Sequence, residues 1–152
     1  MSEELRFTTD AGLIDRLGRE LVGRQETALI ELVKNSYDAD AQNVTVTLER
    51  RALVIEDDGT GMSREELITG FLRLASTLKV SEPRSRMFGR QRAGRKGIGR
   101  FSTQRLGQVL RLRTWTDDTS PGMELVVDWQ KFESGRDLRA RPKIELSDFS
   151  SL

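Results

Sequence analysis

The sequence contains no cysteine and no histidine among its 152 residues. Without cysteine, disulfides and thiolate metal sites are excluded. Without histidine, imidazole acid–base chemistry, histidine metal ligands and a phosphoacceptor histidine are excluded from this chain. A strong charge of either sign is also missing, because the net charge is only +1. Bulk charge therefore favours no particular class of partner.

Long apolar runs are absent as well. The N-terminal stretch MSEELRFTTDAG has no apolar core of the kind that a signal peptide carries. No window approaches the roughly 20 apolar residues that a membrane-spanning helix needs. With 36% hydrophobic and 32% charged residues, the composition predicts one globular domain over residues 1–152. We expect a cytoplasmic location and no membrane contact.

Hydrophobic periodicity predicts an order of helices and strands that is typical of an α/β fold. Apolar residues recur at helical spacing over residues 12–41, with a break at Gly23. Alternation in VTVTL, followed after a turn by ALVIED, predicts a β-hairpin over residues 44–57. Later predicted elements are a helix start with a capping box at Ser63 and Glu66, a short helix after Gly99, and strands at 108–115, 123–129 and 143–146. This order favours an α/β sandwich with helices on one face of a mixed sheet.

The segment ELVKNSYDADA, residues 31–41, places a polar stripe on an otherwise apolar helix. At about 100° per residue, Asn35 lies about 40° from Glu31, and Asp38 lies about 20° from Glu31 on the other side. Unpaired polar groups are costly to bury, so the stripe needs water, protein partners or a ligand. The amide oxygen of Asn35 could bind a hard cation such as Mg²⁺, and Glu31 could polarise a water for attack on a phosphoryl group. The alternative is an amphipathic helix with a solvated polar face.

A glycine turn in EDDGTGM provides a second candidate site. Gly59 and Gly61 permit a tight turn and close approach of a ligand to the backbone. Asp58 could accept a hydrogen bond from an exocyclic amine, and Met62 could form an adaptable apolar wall for a flat ring. An ordinary Asp-Gly turn would give the same pattern.

A second glycine segment, GRKGIGRFS, begins at Gly94. Gly94 and Gly99 have the spacing of a P-loop, but Arg100 and Phe101 stand where that motif requires lysine and Ser or Thr. A glycine run that leads into a helix can still hold phosphate oxygens through backbone N–H groups. Additional positive charge would come from Lys79, Arg95 and Lys96. The alternative is a flexible basic loop.

Basic residues are concentrated around this second glycine segment. Residues 79–100 hold eight Lys or Arg against one acid, Glu82, and we expect a long mobile loop there. Such a loop could contact nucleic acid through its phosphates. A nucleic-acid or protein binding module that uses the basic segment 79–113 is therefore an alternative function.

Taken in order, the three motifs resemble the GHKL ATPase superfamily of DNA gyrase B subunits, 90-kDa heat-shock chaperones, histidine kinases and MutL mismatch-repair proteins. The motifs are E-x-x-x-N on a helix, D-x-G-x-G after a strand and G-x-x-G-x-G before a helix. The resemblance covers residues 12–107. It implies the Bergerat fold, a two-layer α/β sandwich whose mixed, mainly antiparallel sheet is covered on one face by helices. It also implies ATP and Mg²⁺ as ligands.

The resemblance assigns a role to each matching residue. Glu31 matches the general base, Asn35 matches the Mg²⁺ ligand, and Asp58 matches the carboxylate that contacts the adenine amine. Residues 76–99 match the lid that closes over the phosphates. The other matches are nucleotide-binding positions: Asp38, Gly59, Gly61, Met62, Lys79, Gly94, Arg95, Lys96, Gly97, Ile98 and Gly99.

The implied activity is ATP hydrolysis, with lid closure driving a conformational change in a larger protein. Dimerisation through the N-terminal region and the lid is implied for that larger protein. Glu31 and the run RFS resemble chaperone- and MutL-like hydrolysing members more than histidine kinases, whose catalytic domain is kept as an alternative. Two family features have no match: a lysine from a following domain, and a threonine on a late strand, for which Thr114 comes too early. We therefore expect an N-terminal fragment.

Overall fold

The computed structural model describes residues 2–5, 24–72, 83–94, 102–116, 122–132 and 144–149. In chain order the elements are strand β1 (Ser2–Leu5), helix α1 (Gln25–Asp38), strands β2 (Val44–Leu48) and β3 (Leu53–Asp57), helix α2 (Arg64–Glu66) continuing as a π-helix (Leu67–Leu72), helix α3 (Thr103–Leu106), strands β4 (Val109–Thr114) and β5 (Gly122–Asp128), a 3₁₀ turn (Trp129–Phe132) and strand β6 (Ile144–Phe149). This order confirms the predicted α/β class. The predicted helical residues 12–23 lie outside the described residues.

The described strands form two antiparallel sheets. Four strands pair in the order β1-β6-β5-β4, and β2 pairs with β3 in a separate hairpin. The three later strands overlap the predicted segments 108–115, 123–129 and 143–146. Every ladder among the described strands is antiparallel, which agrees with a mainly antiparallel sheet. No parallel pair occurs in this part of the chain.

The hydrophobic core lies on one face of the four-stranded sheet. Alternate residues of β5, Leu125 and Val127, are fully buried, as are Ile144 in β6 and Leu67 at the start of the π-helix. Because side chains alternate between the faces of a strand, β5 presents only one of its faces to this core. The π-helix therefore covers the apolar face of the sheet. No helix in the described ranges is long and apolar enough to span a membrane.

The capping box predicted before α2 is present. Glu66 N–H donates to Ser63 Oγ at 3.3 Å, and Ser63 N–H donates to Glu66 Oε2 at 2.8 Å. Arg86 forms an ion pair with the same Glu66 carboxylate. Burial acts to raise the pKa of Glu66, but the Ser63 N–H and the Arg86 guanidinium outweigh it and hold that pKa below its ordinary value. The start of α2 is thus tied to residues in the segment predicted as a lid.

Candidate functional site at the C-terminal end of helix α1

Helix α1 turns part of its polar stripe inward. Ser36 and Asp38 are buried, whereas Ile30, Val33 and Tyr37 are exposed. A helix that only presented a solvated polar face would show the reverse distribution. The solvated-face alternative is therefore wrong for Asp38, and the buried polar groups must find partners.

Glu31 and Asn35 lie one turn apart on α1, both partly buried, as their spacing predicts. Lys34 Nζ donates to Glu31 Oε1 at 2.8 Å, and the two side chains are 41% and 27% exposed. An ion pair this exposed is weak, so Glu31 can exchange its lysine partner for a water at little cost. The roles of Glu31 as base and Asn35 as metal ligand stay predictions.

The first glycine turn packs directly against the end of α1. Thr60 N–H donates to Ala39 O at 2.8 Å. A Cβ at Gly59 would lie 2.7 Å from the same Ala39 oxygen. At Gly61, where φ is +66°, a Cβ would lie 2.0 Å from Trp115 O. Both glycines are therefore needed for the turn to fit between α1 and the end of β4.

Thr114, at the end of β4, fixes the other side of this turn. Met62 N–H donates to Thr114 Oγ1 at 2.9 Å, and Thr114 is buried. Met62 itself packs against the hydrophobic core. From the sequence, Thr114 comes too early in the chain to match the family's late-strand threonine. No local pattern could have revealed this contact, because 52 residues separate its two partners.

Asp57 and Asp58 are neighbours in sequence but have different surroundings in the structure. Both oxygens of Asp58 are engaged by the loop before β2: Gln42 N–H and Asn43 N–H donate to Oδ1, and Asn43 Nδ2 donates to Oδ2. The backbone N–H of Asn43 is the largest of the contributions that lower the pKa of Asp58. Asp58 is thereby committed to holding that loop.

Asp57 instead faces α1. Ser36 Oγ donates to Asp57 Oδ2 at 2.7 Å, and Gly59 N–H donates to Asp57 Oδ1 at 3.0 Å. The side chain is held by two donors but remains exposed. The sequence contained a signal for this residue, since the pattern D-x-G-x-G, counted back from Gly59 and Gly61, begins at Asp57. The geometry gives no support to Asp58 as the adenine contact and favours Asp57.

The second glycine segment begins at the buried end of the polar stripe. Ala93 N–H and Gly94 N–H donate to the two oxygens of Asp38 at 2.7 and 3.1 Å. Asp38 thus holds the backbone where this segment starts. The other residues predicted for phosphate binding, Lys79, Arg95, Lys96, Gly97, Ile98 and Gly99, lie outside the described residues.

Residues 83–94 form a docked hairpin, which we call the 83–94 hairpin. Arg84 and Gln91 form an antiparallel bridge, and Ser85 N–H donates to Arg90 O at 2.8 Å. The prediction of one long mobile loop over 79–100 is therefore wrong for this part. Long-range contacts hold this hairpin, because the carboxylates of Asp38 and Asp40, at and just after the end of α1, accept hydrogen bonds from its backbone.

Arginines of the predicted basic segment are engaged within the protein. Arg90 donates to Ala41 O, Arg84 donates to Gly89 O, and Arg86 pairs with Glu66. In β4, Arg111 and Arg113 both pair with Glu124 across the sheet. This arrangement does not favour the hypothesis that residues 79–113 form a nucleic-acid surface, because that hypothesis needs cations directed at phosphates.

The protein oxygens at this site suit a cation that takes its remaining ligands from water and a bound phosphate. Among the described residues, no group of three or more acidic side chains lies close enough to enclose a metal. Asn35 offers an amide oxygen one turn from the Glu31 carboxylate. Mg²⁺ commonly binds through one or two protein oxygens while keeping waters and substrate phosphates. The site therefore fits Mg²⁺ bound together with a phosphate ligand.

Comparison with known proteins identifies the family. The sequence profile of the histidine kinase-, DNA gyrase B- and HSP90-like ATPases matches residues 23–151. This chain belongs to that ATPase family. It is an ATP-binding module of the GHKL superfamily, as the three motifs predicted.

Relatives of this ATPase domain include a protein named as a putative restriction enzyme and proteins named for DNA mismatch repair. The chain is 35% identical over 96 residues to the putative type II restriction enzyme HgiDII of Herpetosiphon aurantiacus, covering 63% of the chain and 15% of that protein. It is 29% identical over 137 residues to the DNA mismatch repair protein MutL of Bacteroides fragilis, covering 88% and 21%. It is 30% identical over 146 residues to MutL of Phocaeicola vulgatus, covering 94% and 23%. The chain thus spans less than a quarter of the length of these relatives.

Proposed function

We propose that this domain binds Mg²⁺ and ATP at the C-terminal end of α1 and hydrolyses ATP there. One observation carries the proposal: the end of α1 contacts both glycine segments. Ala39 O accepts from Thr60 N–H of the first, and Asp38 accepts from Gly94 N–H of the second. A single helix thereby brings together a turn suited to the adenine ring and a backbone segment whose N–H groups suit phosphates.

Adenine recognition is assigned to Asp57 rather than Asp58. Asp57 is oriented by Ser36 and Gly59, yet its carboxylate stays exposed and retains acceptor capacity for an exocyclic amine. Met62 lies next to this turn with its backbone fixed by Thr114. An adaptable methionine of this kind suits the face of a flat ring.

Hydrolysis requires a base and a stabilised phosphoryl group. Glu31 would accept a proton from the attacking water. The water oxygen forms a bond to the γ-phosphorus as the bond between that phosphorus and the β–γ bridging oxygen breaks. The products are ADP and inorganic phosphate. Bound Mg²⁺, held by Asn35 and the phosphates, would supply charge stabilisation to the transferred group. The spacing of one helical turn between Glu31 and Asn35 supports this proposed role.

The ATP cycle is proposed to act on a larger assembly. The chain covers a small part of each relative, so the nucleotide state of this domain would be transmitted to other parts of a longer protein by closure of the lid, residues 76–99. The relatives are named a mismatch repair protein and a putative restriction enzyme. We therefore propose DNA processing as the setting of this ATPase.

A titration with and without the metal tests the proposed site. For wild type, Mg²⁺ should raise the affinity for ATP by about tenfold, and Asn35→Ala should remove that gain while leaving metal-free affinity unchanged. Gln25→Ala, which removes an exposed amide from the same helix, is the matched control and should behave as wild type. Equal responses to Mg²⁺ in wild type and Asn35→Ala would contradict the assignment.

A further inference from the structure

Asp40 occupies a backbone position that favours glycine. Helix α1 ends in a Schellman motif, in which Ala41 N–H donates to Ser36 O at 3.0 Å and Asp40 N–H donates to Tyr37 O at 3.1 Å. The φ of Asp40 is +65°, and no other non-glycine residue in the described ranges has a positive φ. Most side chains disfavour this left-handed conformation, and aspartate is one of the few that adopt it, so the contacts of its carboxylate decide its role here.

The Asp40 carboxylate binds the backbone of the 83–94 hairpin. It is buried, and it accepts from Met87 N–H at 2.8 Å, from Phe88 N–H at 3.3 Å and from the Ser85 side chain. Burial acts to raise the pKa of Asp40, but these hydrogen bonds and the nearby Arg90 outweigh it and hold the pKa below its ordinary value. A glycine at this position could make none of these contacts.

Arg90 ties the same hairpin to the same helix end. Its guanidinium donates to Ala41 O at 2.7 Å and lies 4.9 Å from the ring centroids of both Tyr37 and Phe88. Cation–π contacts at this distance add attraction between the hairpin and α1. Asp40 from the helix end and Arg90 from the hairpin therefore join these two parts of the chain.

The end of the hairpin is held by Asp38, two residues before Asp40. Asp38 accepts from Ala93 N–H and Gly94 N–H. Within the hairpin, Arg92 N–H donates to Pro83 O at 3.0 Å and joins its two ends. Residues 38–40, at and just after the end of α1, thus bind both the turn of the hairpin and the residue at which the second glycine segment starts.

We propose that Asp40 is a positioning residue for phosphate binding, which clamps the 83–94 hairpin on α1 and so fixes Gly94 relative to Asn35. The proposal rests on the proposed function, since it concerns how the same nucleotide site is pre-organised. In the structure the hairpin is docked on the end of α1.

Asp40→Gly is the informative variant. Glycine favours φ of +65°, so this change keeps the helix end relaxed while it removes the carboxylate. Asp40→Asn tolerates the same φ and retains one acceptor oxygen, so it should rescue part of the effect. Glu49→Gln, in the exposed turn after β2, removes a negative charge without touching the hairpin and controls for electrostatic effects on ATP.

Hydrogen exchange on the nucleotide-free chain tests the clamp itself. In Asp40→Gly, amides of residues 85–90 should exchange about tenfold or more faster than in wild type, while those of α1 stay unchanged. Asp40→Asn should fall between the two, and Glu49→Gln should match wild type. Unchanged exchange at 85–90 in Asp40→Gly would overturn the clamp, whether or not the protein binds ATP.

Nucleotide titration tests the positioning role. Without the clamp, the competent arrangement is only partly populated, so Asp40→Gly should bind Mg²⁺·ATP about tenfold more weakly. Its affinity for AMP, which lacks the β- and γ-phosphates, should change much less. Faster exchange with unchanged ATP affinity would refute positioning. If wild type itself fails to bind ATP, the proposed function fails and positioning falls with it, whereas the exchange result still decides the clamp.

Discussion

At the residue scale, the neighbours of each acidic side chain determine its role in this domain. Asp38 and Asp40 are buried and accept hydrogen bonds from the backbone of the 83–94 hairpin. Asp58 is committed to the loop before β2, and Asp57 is oriented by Ser36 but open to a ligand. These four carboxylates lie close together in sequence, yet only Asp57 is both exposed and not taken up by the loop before β2.

Glu31 differs from these because its main described partner is a neighbouring exposed lysine, Lys34. Replacing Glu31 with Gln should lower the rate of ATP hydrolysis by about 10²–10⁴-fold, the contribution of a general base. Its affinity for ATP and its stability should stay near the wild-type values, because an exposed ion pair contributes little. Single-turnover phosphate release and calorimetric binding measure the two quantities.

Glu26→Gln is the matched control for this prediction, because Glu26 is an exposed glutamate in the first turn of the same helix. It should hydrolyse ATP at the wild-type rate. The role assigned to Glu31 would be refuted if Glu31→Gln hydrolysed ATP as fast as this control, or if it lost ATP binding.

At the element scale, strands β4 and β5 are joined by charge as well as by their ladder. Glu124 stands opposite Arg113 and accepts from both Arg113 and Arg111 at 2.8 Å. The hydrogen bond from Arg113 is the largest cause that holds the pKa of Glu124 below its ordinary value of 4.5. The resulting stability is present above pH 4.5 and is lost as the pH falls through the lowered, folded-state pKa.

Glu124→Gln should lower the free energy of unfolding by about 1 kcal/mol at pH 7, the upper range for a cross-strand charge pair. Its stability should also decline less steeply than that of wild type between pH 5 and pH 3, because the group that titrates is gone. Denaturant unfolding across this pH range measures both effects. Glu145→Gln, at an exposed position on the neighbouring β6, is the control; the same loss in both variants would contradict the pairing.

The elements that could be predicted from sequence are those with local causes. Local hydrophobic patterning predicted β2 to β6, and the Ser63–Glu66 box predicted the start of α2, because both patterns act within a few residues. The docking of the 83–94 hairpin could not be predicted, because its composition is that of a basic loop. Its order comes from Asp38 and Asp40, which lie between 47 and 56 residues away in sequence.

At the scale of the whole molecule, the end of α1 connects the parts of the site. It contacts the first glycine turn through Ala39, the adenine candidate Asp57 through Ser36, and the second glycine segment through Asp38. The three motifs predicted the family and the neighbourhood of the site. They did not predict which aspartate faces the helix, because that depends on how the loop at residues 42–43 folds back onto Asp58.

The most direct test of this account is a titration of wild type, Asp57→Ala and Asp58→Ala with Mg²⁺·ATP and Mg²⁺·GTP. Wild type should bind one ATP and prefer it to GTP, because guanine carries a carbonyl oxygen where adenine carries its exocyclic amine. Asp57→Ala should weaken ATP binding by about tenfold or more and lose the preference, because a hydrogen bond to a charged acceptor is removed. Asp58→Ala should keep the preference. Absence of ATP binding by wild type, or an unchanged preference for ATP over GTP in Asp57→Ala, would contradict the account.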